Sequence, residues 1–138
     1  MTKPYTPDIE GTIRFHGHHC PGITYGIRAA EACVDAFGLE TATEAMTCIA
    51  EKQFCGVDAV QFLLGCTTGK KNMIVHEKDV LAFVFVPKDG ERALRVAVRD
   101  GFASQHSSDR AAHISAIMDA DLDEVFEIRK VDVPEQGR

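Results

Sequence analysis

The chain of 138 residues has the size of one domain, and its 45% content of hydrophobic residues is enough to build a packed core. Its formal charge of −6 argues against a surface that binds nucleic acid, because such surfaces concentrate Lys and Arg. No apolar run reaches the roughly 20 residues that span a bilayer, and the first residues lack the apolar region of a signal peptide. We therefore expect a single domain over residues 1–138, located in the cytoplasm, that binds neither membrane nor nucleic acid.

Two helices and a strand are predicted in the first part of the chain. Residues 8–15 form a short candidate helix that Gly17 would end. Pro21 suits a first helical position, and apolar residues recur after it at helical spacing until Gly38. Residues 43–51 are rich in strand-forming types between charged ends, which predicts a strand.

The remainder of the chain mixes strands and helices. Apolar residues recur at helical spacing from Val57 to Leu64, which predicts a helix that ends at Gly65. Residues 80–86 form an apolar run typical of a strand covered on both faces. Asp89-Gly90 predicts a hairpin into the alternating residues 94–98. A third amphipathic helix is expected over residues 107–118, and a last strand over 125–131. The inward-facing positions of that third helix should be Ala111, Ile114, Ile117 and Met118. These elements predict an α+β fold, with a mixed or antiparallel sheet and helices packed against it.

The cysteines do not form a disulfide framework, because five is an odd number without the spacing of a small stapled scaffold. Each thiol is therefore interpreted separately. Cys33 and Cys48 follow apolar patterns and are predicted to be small core residues. The isolated histidines among polar neighbours are predicted to lie at the surface: His76, His106 and His113.

The densest group of metal-ligand side chains lies at the predicted break between the first two helices. It comprises His16, His18, His19 and Cys20 within five positions. Imidazole nitrogen and thiolate sulfur together suit zinc and other borderline or soft transition metals, whereas hard cations prefer oxygen. The alternative is that these histidines only cap helix ends. Three histidines beside a cysteine favour a metal site.

Two cysteines stand at predicted helix starts. Cys20 precedes Pro-Gly at or near an N-cap, where free amide donors and the helix dipole should stabilise a thiolate that either ligates a metal or attacks an electrophile. Cys55 lies at the start of the second, shorter helix that Gly65 closes, and Cys66 follows its end roughly 15 Å away at ~1.5 Å per residue. Cys55 is thus the better partner for Cys20. Asp58 is either a helix-start carboxylate or an acceptor for a ligating histidine.

The glycine-rich loop at residues 65–71 does not match a nucleotide-binding loop. A Walker motif has four residues between its glycines and a Ser or Thr after the Lys, whereas this loop has three and continues with Lys71. Two interpretations stay open, a plain surface loop and a loop that holds an anionic substrate tail with the help of Lys70.

Two segments resemble the family of the E-type subunit of formylmethanofuran dehydrogenase. The first is Phe15-His16-Gly17-His18-His19-Cys20-Pro21-Gly22 followed by Gly26-Ile27-Arg28-Ala29-Ala30, and the second runs from Cys55-Gly56-Val57-Asp58 to Gly65-Cys66-Thr67-Thr68-Gly69-Lys70-Lys71-Asn72. The hairpin from Phe83 to Arg99 is also similar, so the resemblance covers residues 8–131. The positions that match the motif are His16, His18, Cys20, Cys55 and Cys66, while His19 occupies a variable position.

The resemblance implies an α+β core that dimerises, with a metal-binding cleft between the two segments. It also implies a role in anaerobic one-carbon metabolism related to methanogenesis, beside a molybdenum or tungsten enzyme that reduces carbon dioxide onto methanofuran. Longer relatives append a cysteine-rich zinc finger, and no cysteine follows Cys66 in this sequence.

Together these observations favour a metal-dependent enzyme or an accessory subunit, with zinc as the expected ion and a homodimer as the expected assembly. The predicted metal ligands are His16, His18, Cys20 and Cys55. The residues predicted to line the reactive pocket are Cys66, Asp58 and Lys70. One alternative is a metal or anion carrier that delivers cargo to a partner enzyme. A thiol redox protein using Cys20 and Cys55 is a third class, disfavoured by the lack of a Cys-x-x-Cys motif.

Overall fold

The computed structural model describes residues 5–105 and 109–135. The helices within these ranges are α1 (Ile9–His16), α2 (Pro21–Phe37), α3 (Leu39–Glu44), α4 (Gly56–Leu64), α5 (Asp100–Gln105), α6 (Arg110–Asp119) and α7 (Leu122–Val125). The strands are β1 (Met46–Ala50), β2 (Met73–Val75), β3 (Ala82–Pro87), β4 (Arg92–Val98) and β5 (Phe126–Asp132). None of the helices in these ranges is long and apolar enough to cross a membrane.

The strands form one sheet in the order β2-β1-β3-β4-β5. β1 pairs in parallel with β2, and the other neighbours are antiparallel. The predicted hairpin is present, since β3 pairs with β4 in the register Phe83 with Val96 and Phe85 with Leu94. The fold is therefore α+β with a mixed sheet, which confirms the predicted class.

The main core lies between one face of the sheet and the helices. Alternate strand residues such as Cys48, Phe85 and Val96 point into it, where they meet the buried side of α2. The opposite face of the sheet carries a second, smaller apolar cluster that includes Ile49 and Val84. β3 contributes to both clusters, as expected for a strand covered on both faces.

Several element boundaries differ from the predicted ones. The strand expected over residues 43–51 begins only at Met46, because residues 39–44 form the short helix α3. The apolar run from Val80 pairs only from Ala82, and the last strand begins at Phe126 rather than Val125. The elements β2, α3, α5 and α7 were not predicted, because each has at most six residues and too few positions to show a periodic pattern.

The third predicted helix needs a correction of its buried face. Residues 107–108 of that prediction, like His106, lie outside the described residues, and the described helix α6 starts after an N-cap at Asp109. That start directs His113 and Ile117, four residues apart, towards α2, while Ala111 is exposed. The surface prediction for His113 is therefore wrong: its Nε2 lies 2.6 Å from the buried Tyr25 hydroxyl. His76 is exposed, as predicted.

Candidate metal centre

Three helix ends meet at the candidate site. α1 ends at His16 because Gly17 takes a left-handed φ of 104°, which a residue with a side chain rarely adopts. The chain then turns and Cys20 becomes the N-cap of α2, followed by Pro21 at the first helical position. Cys55 occupies the N-cap of α4. The structure thus brings together residues from both sequence segments.

Close packing of α2 on α4 brings the two cysteines into one place. A Cβ atom added to Gly26 would lie 2.3 Å from the carbonyl oxygen and 2.6 Å from the Cα of Gly56. One added to Gly22 would lie 2.9 Å from the Cβ of Cys55. Glycines four residues apart share one face of α2, so they leave room for the start of α4. This role of the glycines was missed from the sequence, although their spacing was visible there.

The nitrogen and sulfur atoms of the site fit a tetrahedral metal ion. The ligand atoms of His16, Cys20 and Cys55 all lie within 4.8 Å of one another, and among the described residues no other group of three His, Cys, Asp or Glu does so. His16 Nε2 and Cys20 Sγ are 3.8 Å apart. In a tetrahedral zinc site with Zn–N near 2.0 Å and Zn–S near 2.3 Å, that edge measures about 3.5 Å. The donor set therefore suits zinc or a similar ion.

A carboxylate orients the histidine of this group. Nδ1–H of His16 donates to Asp58 Oδ2 at 2.7 Å, which leaves the lone pair of Nε2 facing Cys20. The other carboxylate oxygen of Asp58 accepts a hydrogen bond from Gln61 Nε2 at 3.2 Å. A carboxylate that holds a histidine in this tautomer is the usual partner of a metal-ligating imidazole. From the sequence, this role of Asp58 was one of two alternatives, and the contribution of Gln61 was not predicted.

The two thiols differ in their surroundings. Cys20 is buried and its Sγ accepts the N–H of Ile23 at 3.5 Å, as expected for an N-cap that stabilises negative charge. Cys55 makes no cap hydrogen bond, and burial raises the pKa of its thiol, with further contributions from the Cys20 thiol and from Asp58. Of these two cysteines, therefore, only Cys20 makes the side-chain cap hydrogen bond that would stabilise a thiolate at a helix start. A metal ion at the site would offset the cost of deprotonating Cys55.

His18, a predicted ligand, lies beside this group without joining it. Its ring centroid is 4.7 Å from that of His16, and its side chain is exposed, like that of His19. The structure thus places His18 on the solvent side of the His16 ring.

Cys66 and Lys70 lie at the opposite end of α4. Cys66 is fully buried in the main core, its Sγ donates to Met46 O at 3.5 Å, and burial raises the pKa of its thiol to about 11. Lys70 is exposed near Gly65, where α4 ends. A helix of nine residues separates this end from Cys55 by about 13 Å at ~1.5 Å per residue. The structure therefore brings Asp58 to the candidate metal centre and leaves Cys66 and Lys70 away from it.

Cys33 and Cys48 lie in the main core as predicted, and both are fully buried. Burial raises the pKa of each thiol far above its usual value, and the nearby Cys66 thiol adds to the effect. Neither belongs to the metal-ligand group.

The sequence profile of the family described as "FmdE, Molybdenum formylmethanofuran dehydrogenase operon" matches residues 15–127. The chain belongs to the FmdE family. The matched range includes every residue of the candidate metal centre. The resemblance found in the sequence is thereby confirmed.

Two known proteins are similar to this chain. A solved structure from Syntrophus aciditrophicus, an FmdE-like protein of the tungsten formylmethanofuran dehydrogenase type, superposes with a TM-score of 0.69 at 22% identity, over 92% of this chain and 71% of that one. At this identity the likeness concerns the fold. A probable S-adenosyl-L-methionine-binding protein from Archaeoglobus fulgidus is 30% identical over 89 residues, 61% of this chain. The match spans only 24% of that relative's length.

Proposed function

We propose that this FmdE-family chain binds one divalent transition metal ion through His16 Nε2, Cys20 Sγ and Cys55 Sγ, with zinc as the favoured ion. The observation that carries the proposal is the convergence of these three atoms within 4.8 Å, with Asp58 bonded to the other nitrogen of His16. Structural zinc sites use four protein ligands, whereas catalytic sites with two Cys and one His keep a fourth position for water or substrate. Three protein donors therefore favour a site that exchanges ligands with solvent.

His18 is the candidate for the fourth position. Its side chain is exposed and its ring lies beside that of His16, so a side-chain rotation can either direct its imidazole towards the ion or leave that position to a small molecule. A bound ion would act there as a Lewis acid and would polarise an oxygen atom of that molecule. His18 then serves as a displaceable ligand or as a proton donor next to the reacting group.

The biochemical setting follows from family membership. We propose a cytoplasmic enzyme or accessory subunit in anaerobic one-carbon metabolism, with a molybdenum or tungsten enzyme as partner. The family description and the tungsten-related relative support this setting.

Cobalt substitution tests the metal site directly. Protein purified without a metal-binding tag should take up one Co²⁺ and develop a sulfur-to-cobalt absorption band, because two of the three donors are thiolates. The double variant Cys20→Ser, Cys55→Ser should lose that band. The variants Cys33→Ala and Cys48→Ala are matched controls and should keep both the stoichiometry and the band, because these thiols lie in the core. A double variant that binds cobalt with an unaltered spectrum would show that neither thiolate touches the ion.

A second candidate function is a carrier that passes the ion to a partner enzyme. The observation that favours it is the partial exposure of His16 and Cys55, which leaves one side of the site open to a competing ligand. A carrier should release zinc to a chelator within minutes while binding it tightly, whereas an enzyme should retain zinc and turn over a substrate. Exchange of isotopically labelled zinc distinguishes the two.

A homodimer is the proposed assembly. The apolar cluster on the second face of the sheet supports it, because its flanking residues Ile74, Val131 and Val133 are only partly buried in the single chain. A second copy would extend the burial of this face through a symmetric interface. Sedimentation equilibrium should give twice the chain mass at concentrations on the order of tens of micromolar. A monomer mass there would contradict a constitutive dimer.

A further inference from the structure

The candidate metal centre contains two free thiols that face each other and that are 35 residues apart in the sequence. The sulfur atoms of Cys20 and Cys55 lie within 4.8 Å, and both cysteines are unbridged. The Cβ of Cys55 packs against the first turn of α2 at Gly22, two residues after Cys20. Rotation about the side-chain bonds is needed to bring the sulfurs to the roughly 2.05 Å of a disulfide.

The remaining thiols are shielded from the same chemistry. Cys33, Cys48 and Cys66 are each 0% exposed, whereas Cys55 is partly exposed and Cys20 is 5% exposed. Reagents in solution therefore reach Cys55 first, and Cys20 is the nearest second thiol. Among the five cysteines, the fold therefore favours Cys20 and Cys55 as the pair that forms a disulfide.

We propose that Cys20 and Cys55 form a reversible disulfide that excludes the metal ion, so that the oxidation state of these two cysteines determines whether the site binds metal. The regulatory part of this inference rests on the proposed metal-binding function. A disulfide would remove two of the three protein donors at once, leaving His16 alone. Conversely, an ion that holds both thiolates protects them, because a ligated sulfur is a poorer nucleophile than a free thiolate.

The oxidant is a low-molecular-weight disulfide such as oxidised glutathione. The Cys55 thiolate attacks one sulfur of that disulfide, an S–S bond breaks, and one glutathione thiolate leaves. The Cys20 thiolate then attacks Cys55 Sγ and expels the second glutathione thiolate. The two cysteines lose two electrons and two protons in total, and the oxidant becomes two thiols. A dithiol reductant reverses both steps.

The experiment compares metal-free and zinc-loaded protein, each incubated with oxidised glutathione, alkylated and mapped by mass spectrometry. We expect the metal-free protein to lose two of its five free thiols and to yield a cross-linked peptide pair containing Cys20 and Cys55. The zinc-loaded protein should react at least about tenfold more slowly and should release zinc in step with the cross-link. Cys33→Ala should behave like the unaltered chain, and Cys55→Ser should form no cross-link. Circular dichroism of the oxidised sample checks that it stays folded.

Cobalt uptake before and after oxidation separates this inference from the proposed function. Reduced protein that binds cobalt, oxidised protein that does not, and recovery with dithiothreitol would support the inference. A glutathione adduct on Cys55 without a cross-link to Cys20, or cobalt binding unchanged by oxidation, would overturn it. Reduced protein that takes up no cobalt would instead overturn the proposed metal site, whatever the cross-link shows.

Discussion

The substitution Gly26→Ala tests the packing that assembles the candidate metal centre. The added Cβ would lie 2.3 Å from Gly56 O, 2.6 Å from Gly56 Cα and 2.8 Å from Ala59 Cβ. Carbon atoms in contact normally stand about 3.5–4.0 Å apart, so α2 and α4 must separate by roughly 1 Å. Two of the three obstructing atoms belong to the backbone and cannot rotate away.

The expected cost follows from two opposing effects. Overpacking of a core contact costs about 1–3 kcal/mol, and alanine gains about 1 kcal/mol over glycine inside a helix. The net loss in the free energy of unfolding should therefore be about 0–2 kcal/mol. Cys55 directly precedes Gly56, so the same movement pulls its sulfur away from Cys20 and His16. Cobalt affinity should fall by about tenfold, which corresponds to ~1.4 kcal/mol of strain in the bound state.

Urea unfolding followed by circular dichroism measures the first effect, and competition with a chromophoric chelator measures the second. Gly101→Ala is the matched control, because a Cβ placed there in α5 would have no described atom within 4 Å beyond its chain neighbours and its own helix backbone. It should keep cobalt affinity and unfold at the same or a higher urea concentration. A Gly26→Ala protein with an unchanged unfolding midpoint and unchanged cobalt affinity would refute the argument that close helix approach builds the site.

Three other predictions concern polar groups. Asp58→Asn should lower cobalt affinity about tenfold, because His16 loses the carboxylate that holds its tautomer. Hydrogen bonds from Arg95 at 2.8 and 2.9 Å lower the pKa of buried Glu51. The ionised carboxylate therefore stabilises the fold at pH values above its unfolded pKa of about 4.3. This contribution is lost as the pH falls from there through the lower pKa of the folded state. Glu51→Gln should therefore cost about 1.5 kcal/mol at neutral pH and little in acid. Burial raises the pKa of Tyr25 to about 12, so its tyrosinate absorbance should appear only near that pH, and stability should fall as pH rises above the unfolded value of about 10.

Each of these predictions has a control and a contradicting result. Asp35→Asn changes an exposed carboxylate on α2 and should leave cobalt affinity unaltered. If Asp35→Asn and Asp58→Asn lowered cobalt affinity equally, Asp58 would have no special role at the site. Asp79→Asn alters an exposed ion pair with Lys52 and should leave the unfolding midpoint in place. If Glu51→Gln showed the same loss at acid and neutral pH, the charge of Glu51 would not be the cause. Tyr25→Phe should remove the latest tyrosine titration, leaving that of Tyr5, whose pKa burial also raises.

Local signals in the sequence determined the parts of the site that lie within one turn of chain. Gly17 ends α1, Pro21 starts α2, and Cys20 is consequently the N-cap between them. These features depend on backbone preferences of neighbouring residues, so a short stretch of sequence is enough to predict them. The helix α4 and the β3–β4 hairpin were predictable for the same reason. The motif residues also indicated the FmdE family.

Only the tertiary structure decided which side chains meet. Motif positions are occupied by His18 and Cys66 as well as by His16 and Cys55, so the sequence does not distinguish them. In the structure, however, His18 faces solvent and Cys66 lies in the core at the far end of α4. His113 likewise turned inward because α6 packs on α2, a contact between segments about 90 residues apart that leaves no periodic trace in the sequence. Which cysteine joins Cys20 depends on how close two helices can approach, and packing of backbone against backbone sets that distance.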